Sequence, residues 1–90
     1  MKVITKKSYP DLFEKVLAGE KTFDMRMADF DIQPGDVLEQ IEVNYDGTPT
    51  GRTVRHVVGE VLRTKEIDFW RQDDIDQYGY QVMSLTERVD

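Results

Sequence analysis

The chain has 90 residues, of which 39% are hydrophobic and 33% charged, and its formal net charge is −6 at pH 7. These values predict a single globular domain over residues 1–90 with one modest core. No apolar run has the length of a signal peptide or a membrane helix, and the lack of cysteine excludes disulfides and thiolate metal sites. We therefore expect a cytoplasmic protein with no membrane partner. The acidity argues against a general duplex binder, because non-specific binding to nucleic acid comes mainly from neutralising phosphates.

The first two predicted elements are a strand and an amphipathic helix. Residues 2–7, KVITKK, contain β-branched side chains that favour a strand. In the following stretch, SYPDLFEKVLAG, Ser8 is the expected N-cap, Pro10 fits the first helical turn, and Gly19 ends the helix. The apolar residues of this stretch share one helical face: Leu12, Phe13, Val16 and Leu17.

Residues 21–28, KTFDMRMA, alternate as a half-buried strand does. Phe23, Met25 and Met27 are predicted to enter the core. Asp24 and Arg26 then lie on the opposite side, in a cleft or in water.

A turn and two further strands follow. Pro34-Gly35 predicts a tight turn. Residues 37–44 predict a strand whose apolar face carries Val37, Ile41 and Val43. The valine-rich residues 52–65 predict another strand, in which Gly59 indicates a bulge or bend.

The end of the chain carries one irregular segment and one strand. Residues 66–77 are acidic and poorly patterned, which predicts a helical turn and a loop, and residues 78–87 predict the last strand. A strand, a helix and then mostly strands define an α+β fold. We expect a small antiparallel β-barrel of five to six strands with the helix packed beside it.

The stretch GEKTFDMR, preceded by an amphipathic helix and followed by PGDVL, resembles the ASCH domains of the PUA-like superfamily. Those domains carry a G-x-K-x-x-E-x-R signature, which falls here on Gly19, Lys21, Asp24 and Arg26. The later stretches TGRTVRHVVGEVL and YGYQVMSL extend the resemblance to a subgroup of small bacterial and phage ASCH-like proteins. The resemblance implies a PUA-like β-barrel with a cleft beside the first helix that binds RNA or a modified nucleoside.

Some ASCH members are amidohydrolases of acetylated cytidine, and others are ribonucleases. The resemblance maps the amidohydrolase lysine onto Lys21 and the threonine position onto Asp24. The later glutamate of those enzymes has no clear counterpart in DFWRQDDIDQ. Asp24 is also one methylene shorter than the usual glutamate of the motif.

Four side chains are the candidate site residues. Lys21, at the entrance of a strand, suits a phosphate contact, or a nucleophile or base if burial lowers its pKa; a solvated surface lysine is the alternative. Asp24 and Arg26, two residues apart on one strand face, can pair so that the guanidinium is fixed toward a phosphate or a base edge. Arg52 in TGR is a further candidate phosphate contact, or an ordinary exposed arginine. If the protein is an enzyme, Lys21 and Asp24 are the expected catalytic residues.

Other polar and aromatic residues carry weaker signals. His56 suits a general base, but a single histidine within a strand is typical of a structural role. Asp73, Asp74 and Asp76 form a carboxylate run without the pattern of a calcium loop, so we expect neither a metal site nor a cofactor. Aromatic side chains that can stack on bases are Trp70, Tyr78, Tyr80 and Tyr45; of these, Tyr80 is predicted in the core and Tyr45 exposed.

Three functions remain open from the sequence. The first is a module that binds single-stranded RNA, a nucleotide or a nucleoside through Lys21, Asp24, Arg26 and Arg52. The second is a small hydrolase of the same fold. The third is an acidic protein-interaction domain that meets a basic partner by charge.

Overall fold

The structure is a computed structural model that describes residues 1–66 and 79–89. Its elements in chain order are β1 (Val3–Ser8), α1 (Pro10–Leu17), β2 (Phe23–Met27), β3 (Val37–Val43), β4 (Pro49–Arg63), a 3₁₀ turn (Thr64–Glu66) and β5 (Tyr80–Val89). The predicted α+β class is confirmed. The predicted helical turn and loop lie, apart from Glu66, outside the described residues. Over the described ranges, no helix is long and apolar enough to cross a membrane.

The described strands form one open five-stranded sheet in the order β1-β3-β4-β5-β2. β1 runs parallel to β3, with Val3 opposite Val37, whereas the other three pairings are antiparallel. The prediction of a purely antiparallel sheet is therefore wrong for β1. Parallel neighbours need a crossover connection, and here α1 and β2 lie in the chain between β1 and β3. The result leaves β1 and β2 at opposite edges of the sheet.

The start of α1 differs from the prediction at one residue. Pro10 occupies the first turn as expected, but Tyr9 is the N-cap residue and no side chain of the described residues caps the helix. Ser8 is the last residue of β1 and is buried, so its assignment as the N-cap is wrong. The reason is that pairing with β3 extends the strand through Ser8, up to the helix itself.

The end of α1 follows the prediction. Gly19 adopts a φ of 76°, its N–H donates to the Val16 carbonyl at 3.1 Å, and the Glu20 N–H donates to the Lys15 carbonyl at 2.9 Å. These two bonds form a Schellman motif, which only a residue tolerant of positive φ closes without strain. The motif turns the chain sharply from the helix toward β2.

The core lies between α1 and the inner face of the sheet. Phe13 and Val16 are the buried residues of the helix, whereas Leu12 is exposed although it was expected on the apolar face. The buried apolar cluster comprises Phe13, Val16, Ile32, Leu38, Val54, Val58, Met83 and Leu85. This cluster joins the helix to strands β3, β4 and β5.

The two faces of β2 are the reverse of those predicted. Phe23, Met25 and Met27 are exposed, Met25 by 59%. Asp24 is only 4% exposed and Arg26 is half-buried, so the ionic side chains point inward. The assignment of the three apolar residues to the core is therefore wrong.

Pairing with β5 explains the reversal. Asp24 lies opposite Met83, a core residue, and Met27 lies opposite Tyr80 on the outer face. Opposed residues project from the same face of a sheet, so the register with β5 decides which side of β2 is buried. Tyr80 is 48% exposed for the same reason, and its predicted core position is wrong.

Strand β3 also carries polar side chains into the interior. Val37 and Val43 are buried as predicted, and Ile41 is half-buried. Gln40 and Glu42, predicted on a polar face, are buried as well. Gln40 and Glu42 lie two and four residues after Leu38, a core residue, so all three side chains project from the inner face of the sheet.

Two predicted backbone irregularities are confirmed. The Asp36 N–H donates to the Gln33 carbonyl at 3.0 Å and closes the turn at Pro34-Gly35. In β4, the pairing register with β5 shifts on both sides of Val58, next to Gly59. The long strand is therefore bent at the position where the sequence places its glycine.

Candidate functional site

Two of the predicted site residues, Lys21 and Arg26, converge on the carboxylate of a third, Asp24. Asp24 Oδ2 accepts a hydrogen bond from Arg26 Nε at 2.6 Å, and Asp24 Oδ1 lies 3.4 Å from Arg26 Nη2. Lys21 Nζ lies 3.4 Å from the same Oδ1. All three side chains are buried or half-buried. The predicted pairing of Asp24 with Arg26 is thus present in the structure.

Local chain geometry brings Lys21 to this cluster. The Lys21 N–H donates to the Lys15 carbonyl at 3.0 Å, which keeps the backbone close to the end of α1. The Lys21 ammonium then donates to the Phe23 carbonyl at 2.8 Å and lies 5.1 Å from the centre of the Phe23 ring. The ammonium is therefore held over the start of β2 instead of extending into solvent.

The cluster lines a hollow of about 340 Å³ beside α1, which we call the ionic hollow. Its walls come from the end of β1, the start of α1 and strand β2. The lining residues are Lys7, Ser8, Tyr9, Leu12, Lys21, Phe23, Asp24, Met25 and Arg26. Three of them are basic and one is acidic, so the lining carries a charge of about +2 in a chain whose net charge is −6.

A second hollow of about 420 Å³ adjoins the first. We call it the tyrosine hollow, and it is lined by Lys7, Ser8, Tyr9, Arg26, Val43, Tyr45, Asp46 and Gly47. Both hollows lie in the range of about 300–1,000 Å³ that small-molecule sites occupy. Lys7, Ser8, Tyr9 and Arg26 line both hollows, which are therefore neighbours, and we call the two together the depression.

Two aromatic rings form one wall of the tyrosine hollow. The rings of Tyr9 and Tyr45 are stacked, with centroids 4.9 Å apart and an interplanar angle of 19°. The Tyr45 hydroxyl donates to Asp11 Oδ1 at 2.7 Å, which raises the pKa of Tyr45 and lowers that of Asp11. Tyr45 is 70% exposed, as predicted. The loop between β3 and β4 is thereby fixed to the start of the helix.

Arg52 lies apart from Lys21 and Asp24. Its Nε and Nη2 donate to the two oxygens of Glu42, at 2.9 and 2.7 Å, and Nη2 also donates to Glu14. These bonds and one from Thr50 at 2.5 Å lower the pKa of Glu42 to about 2. Arg52 therefore joins β4 to β3 and α1, and it lines neither the ionic nor the tyrosine hollow.

The remaining candidates lie elsewhere. His56 is half-buried on β4, and burial together with Arg88 lowers its pKa. Its Nδ1 is buried and accepts no hydrogen bond from the described residues. Trp70, Tyr78 and the three aspartates Asp73, Asp74 and Asp76 lie outside the described ranges. Within those ranges, no group of three or more acidic or histidine side chains is placed to hold a metal ion.

Sequence reasoning missed the contribution of β1 to the site. Lys7, Ser8 and Tyr9 line both hollows, yet they follow an ordinary strand pattern. The parallel pairing of β1 with β3 places the end of β1 beside the two hollows. Such a pairing joins segments that are distant in the chain, so no local sequence pattern indicates it. The interruption of the strand by Pro10 was the one available signal that Ser8 and Tyr9 lie at a strand end.

The depression combines features that suit an anionic, partly aromatic guest. The guanidinium of Arg26 and the ammonium groups of Lys7 and Lys21 offer donors to an anion. The stacked tyrosines offer a flat apolar surface next to those donors. Asp24 limits the positive charge and fixes the direction of the guanidinium.

No curated protein matches this chain. Residues 5–85 match the family described as Domain of unknown function (DUF3850). This match covers most of the chain, including every residue that lines the two hollows, and the chain belongs to the DUF3850 family.

Proposed function

We propose that this protein binds a nucleotide or a short single-stranded RNA in the ionic hollow. The convergence of Lys21 and Arg26 on buried Asp24, beside α1, is the observation that supports the proposal most directly. A hydrogen-bonded guanidinium of fixed direction is a typical phosphate-binding group.

Charge limits the size of the guest. The lining of the ionic hollow carries about +2, but the whole chain carries −6. A long polyanion would meet repulsion away from the hollow, whereas screening restricts that repulsion to about 10 Å at 0.1 M salt. A guest with one to a few phosphates therefore fits the electrostatics better than a duplex.

Asp24 has a positioning role in this proposal. A guanidinium has five N–H donors, and Arg26 directs two of them to Asp24. Three donors are left over, and because Arg26 lines both hollows, they are available to a phosphate or a base edge there. The shorter aspartate still holds the arginine fork, because the two residues are neighbours on one strand face.

We also propose that the fold is that of an ASCH domain, with a PUA-like β-barrel. The two edge strands support this proposal, because Lys7 and Ser8 of β1 line the same hollow as Asp24 and Arg26 of β2. A flat sheet would hold its edge strands far apart. Their proximity therefore favours a sheet that curls toward closure around the depression.

The test is a binding titration of a fluorescein-labelled eight-nucleotide single-stranded RNA by fluorescence anisotropy in 50 mM salt. We expect saturable binding by the wild type and at least tenfold weaker binding by Lys21→Ala and by Arg26→Ala. We also expect each variant to have a shallower dependence of log K on log salt, by about 0.7 for each phosphate that it no longer neutralises. Lys15→Ala is the matched control, because Lys15 is exposed on α1 and lines neither hollow.

Lack of binding by the wild type, for both the oligomer and mononucleotides, would reject the proposal. If Lys15→Ala weakens RNA binding as much as Lys21→Ala does, the binding is non-specific electrostatic attraction and does not depend on the ionic hollow. Circular dichroism of each variant confirms that the fold is retained.

One observation favours a second candidate function, a hydrolase of the same fold. The Lys21 ammonium and the Asp24 carboxylate lie 3.4 Å apart in the wall of a hollow, close to the about 2.6–3.2 Å of an acid–base pair, a distance that often shortens when substrate binds. The test is turnover of N4-acetylcytidine and cleavage of RNA, with Lys21→Ala expected to abolish either activity. A wild type inert in both assays rejects this candidate.

A further inference from the structure

We infer that the tyrosine hollow is a stacking subsite for one base of the bound RNA, with the adjoining phosphate at Arg26. This inference rests on the proposed function, since it assigns a second part of the same guest. It names Tyr45 as the residue that recognises the base, by ring contact and not by hydrogen bonding, with Tyr9 stacked on the other face of its ring.

The first support is the geometry of the two rings. Tyr9 and Tyr45 stack at 4.9 Å, so each ring covers only one face of the other. Tyr45 is 70% exposed and lines the hollow, and its second face is therefore accessible to a guest. A base is a flat π-system of similar size, and base–aromatic stacking is the usual means by which proteins hold single strands.

The second support is that the rings are held in place before any guest arrives. The Tyr45 hydroxyl bonds to Asp11 at 2.7 Å. The tip of the same loop is closed by a bond of 3.0 Å from the Thr48 N–H to Asp46 Oδ1 and by one of 2.8 Å from the Asn44 N–H to the Thr48 carbonyl. A platform fixed in its bound position loses little entropy on binding.

The third support is the wall that the two hollows share. Arg26 and Lys7 line both, so their donors stand between the stacked rings and the Lys21–Asp24 pair. A guest that fills both hollows must carry an anion next to an aromatic ring. A nucleotide unit within a single strand has this composition, whereas inorganic phosphate or a free nucleoside occupies only one of the two.

The test compares Tyr45→Leu with Tyr45→Phe in the same anisotropy titration. Tyr45→Leu removes the ring, and we expect about 5- to 150-fold weaker binding of the eight-nucleotide RNA. Tyr45→Phe keeps the ring and removes only the bond to Asp11, so its affinity should stay within about threefold of wild type. An abasic strand of the same length should bind weakly to the wild type, and Tyr45→Leu and Tyr45→Phe should bind it with the same affinity as the wild type. Arg26→Ala should weaken the binding of the RNA and of the abasic strand.

A direct readout of stacking accompanies the titration. An RNA with one 2-aminopurine should show a change of base fluorescence on binding to wild type and to Tyr45→Phe, but not to Tyr45→Leu. If the wild type binds RNA and Tyr45→Leu binds it equally well, the stacking subsite is rejected and the ionic hollow still stands. If the wild type binds neither strand, the proposed function itself fails.

Discussion

Asp24 is the residue around which the site is arranged. It is 4% exposed, and its two oxygens face Arg26 and Lys21. A carboxylate enters the interior only when opposite charges or hydrogen bonds replace the water it loses. Arg26 lies two residues after Asp24 and Lys21 lies three residues before it, so one short segment supplies both cations that neutralise the carboxylate.

Asp24→Asn tests this balance. The amide keeps the shape but removes the charge that holds two cations, and it presents donors to them. We expect a loss of about 1–3 kcal/mol in the free energy of unfolding, measured by urea denaturation. Asp29→Asn, the same change at an exposed residue of the next segment, should cost less than about 0.5 kcal/mol. Equal losses at the two positions would mean that the charge at Asp24 does not stabilise the fold.

Residue patterns predicted which side chains meet, but not which face they occupy. The proximity of Lys21, Asp24 and Arg26 follows from their spacing along one strand start. The orientation of Asp24 does not, because the register of β2 with β5 sets it, and the residue opposite is Met83. Hydrophobicity alone favours Phe23, Met25 and Met27 as the core face, and the pairing of β2 with β5 overrides this preference.

At the scale of elements, local signals predicted α1 and the tight turns well. Pro10 and Gly19 act within one helical turn of themselves, so their effect is readable from the sequence. The pairing of β1 with β3 is non-local, and no residue pattern indicated that it is parallel. The partners of Arg52, namely Glu14 and Glu42, are distant in the chain and equally hidden from pattern reasoning.

The bend in β4 requires a residue without a side chain. A Cβ on Gly59 would lie 2.6 Å from Thr86 Cγ2 and 2.7 Å from Ser84 Oγ. Neither side chain rotates away without cost: the Ser84 hydroxyl accepts from the Glu60 N–H at 2.7 Å, and the Thr86 hydroxyl donates to the Val57 carbonyl at 3.1 Å.

Gly59→Ala should therefore destabilise the protein by about 1–3 kcal/mol, the usual cost of overpacking. Chemical denaturation followed by far-ultraviolet circular dichroism measures this loss. Adding Thr86→Ser, which removes the Cγ2 atom, should recover part of it. If the double variant is no more stable than Gly59→Ala alone, the clash with Thr86 is not the cause.

At the scale of the whole molecule, a half-buried histidine and an ion-paired glutamate make stability depend on pH in two stages. Burial lowers the pKa of His56 below its ordinary 6.5, so the unfolded imidazole takes up a proton at higher pH than the folded one. That contribution is complete above about pH 6.5 and is lost as the pH falls below it. Hydrogen bonds from Arg52 and Thr50 lower the pKa of Glu42 from 4.5 to about 2. The contribution of Glu42 to the free energy of unfolding is therefore complete above about pH 4.5 and is lost as the pH falls toward 2.

We expect the urea midpoint to decrease as the pH falls below about 6.5 and again as it falls below about 4.5. His56→Gln should flatten the first decrease and leave the second. Glu42→Gln should leave the first decrease unchanged. It should reduce the second only in part, because hydrogen bonds also lower the pKa of Asp31, Asp36 and Glu39. An unchanged upper decrease in His56→Gln would show that the histidine does not cause it.

The depression lies where the two edges of the sheet come close, because β1 and β2 are the edge strands and both line it. A guest bound there contacts both edge strands at once. It therefore links two strands that, among the described residues, are not paired with each other. Occupancy would then slow amide exchange along both outer strands, including backbone groups the guest never touches, with about 2.7 kcal/mol of added stability at a free concentration 100 times the Kd.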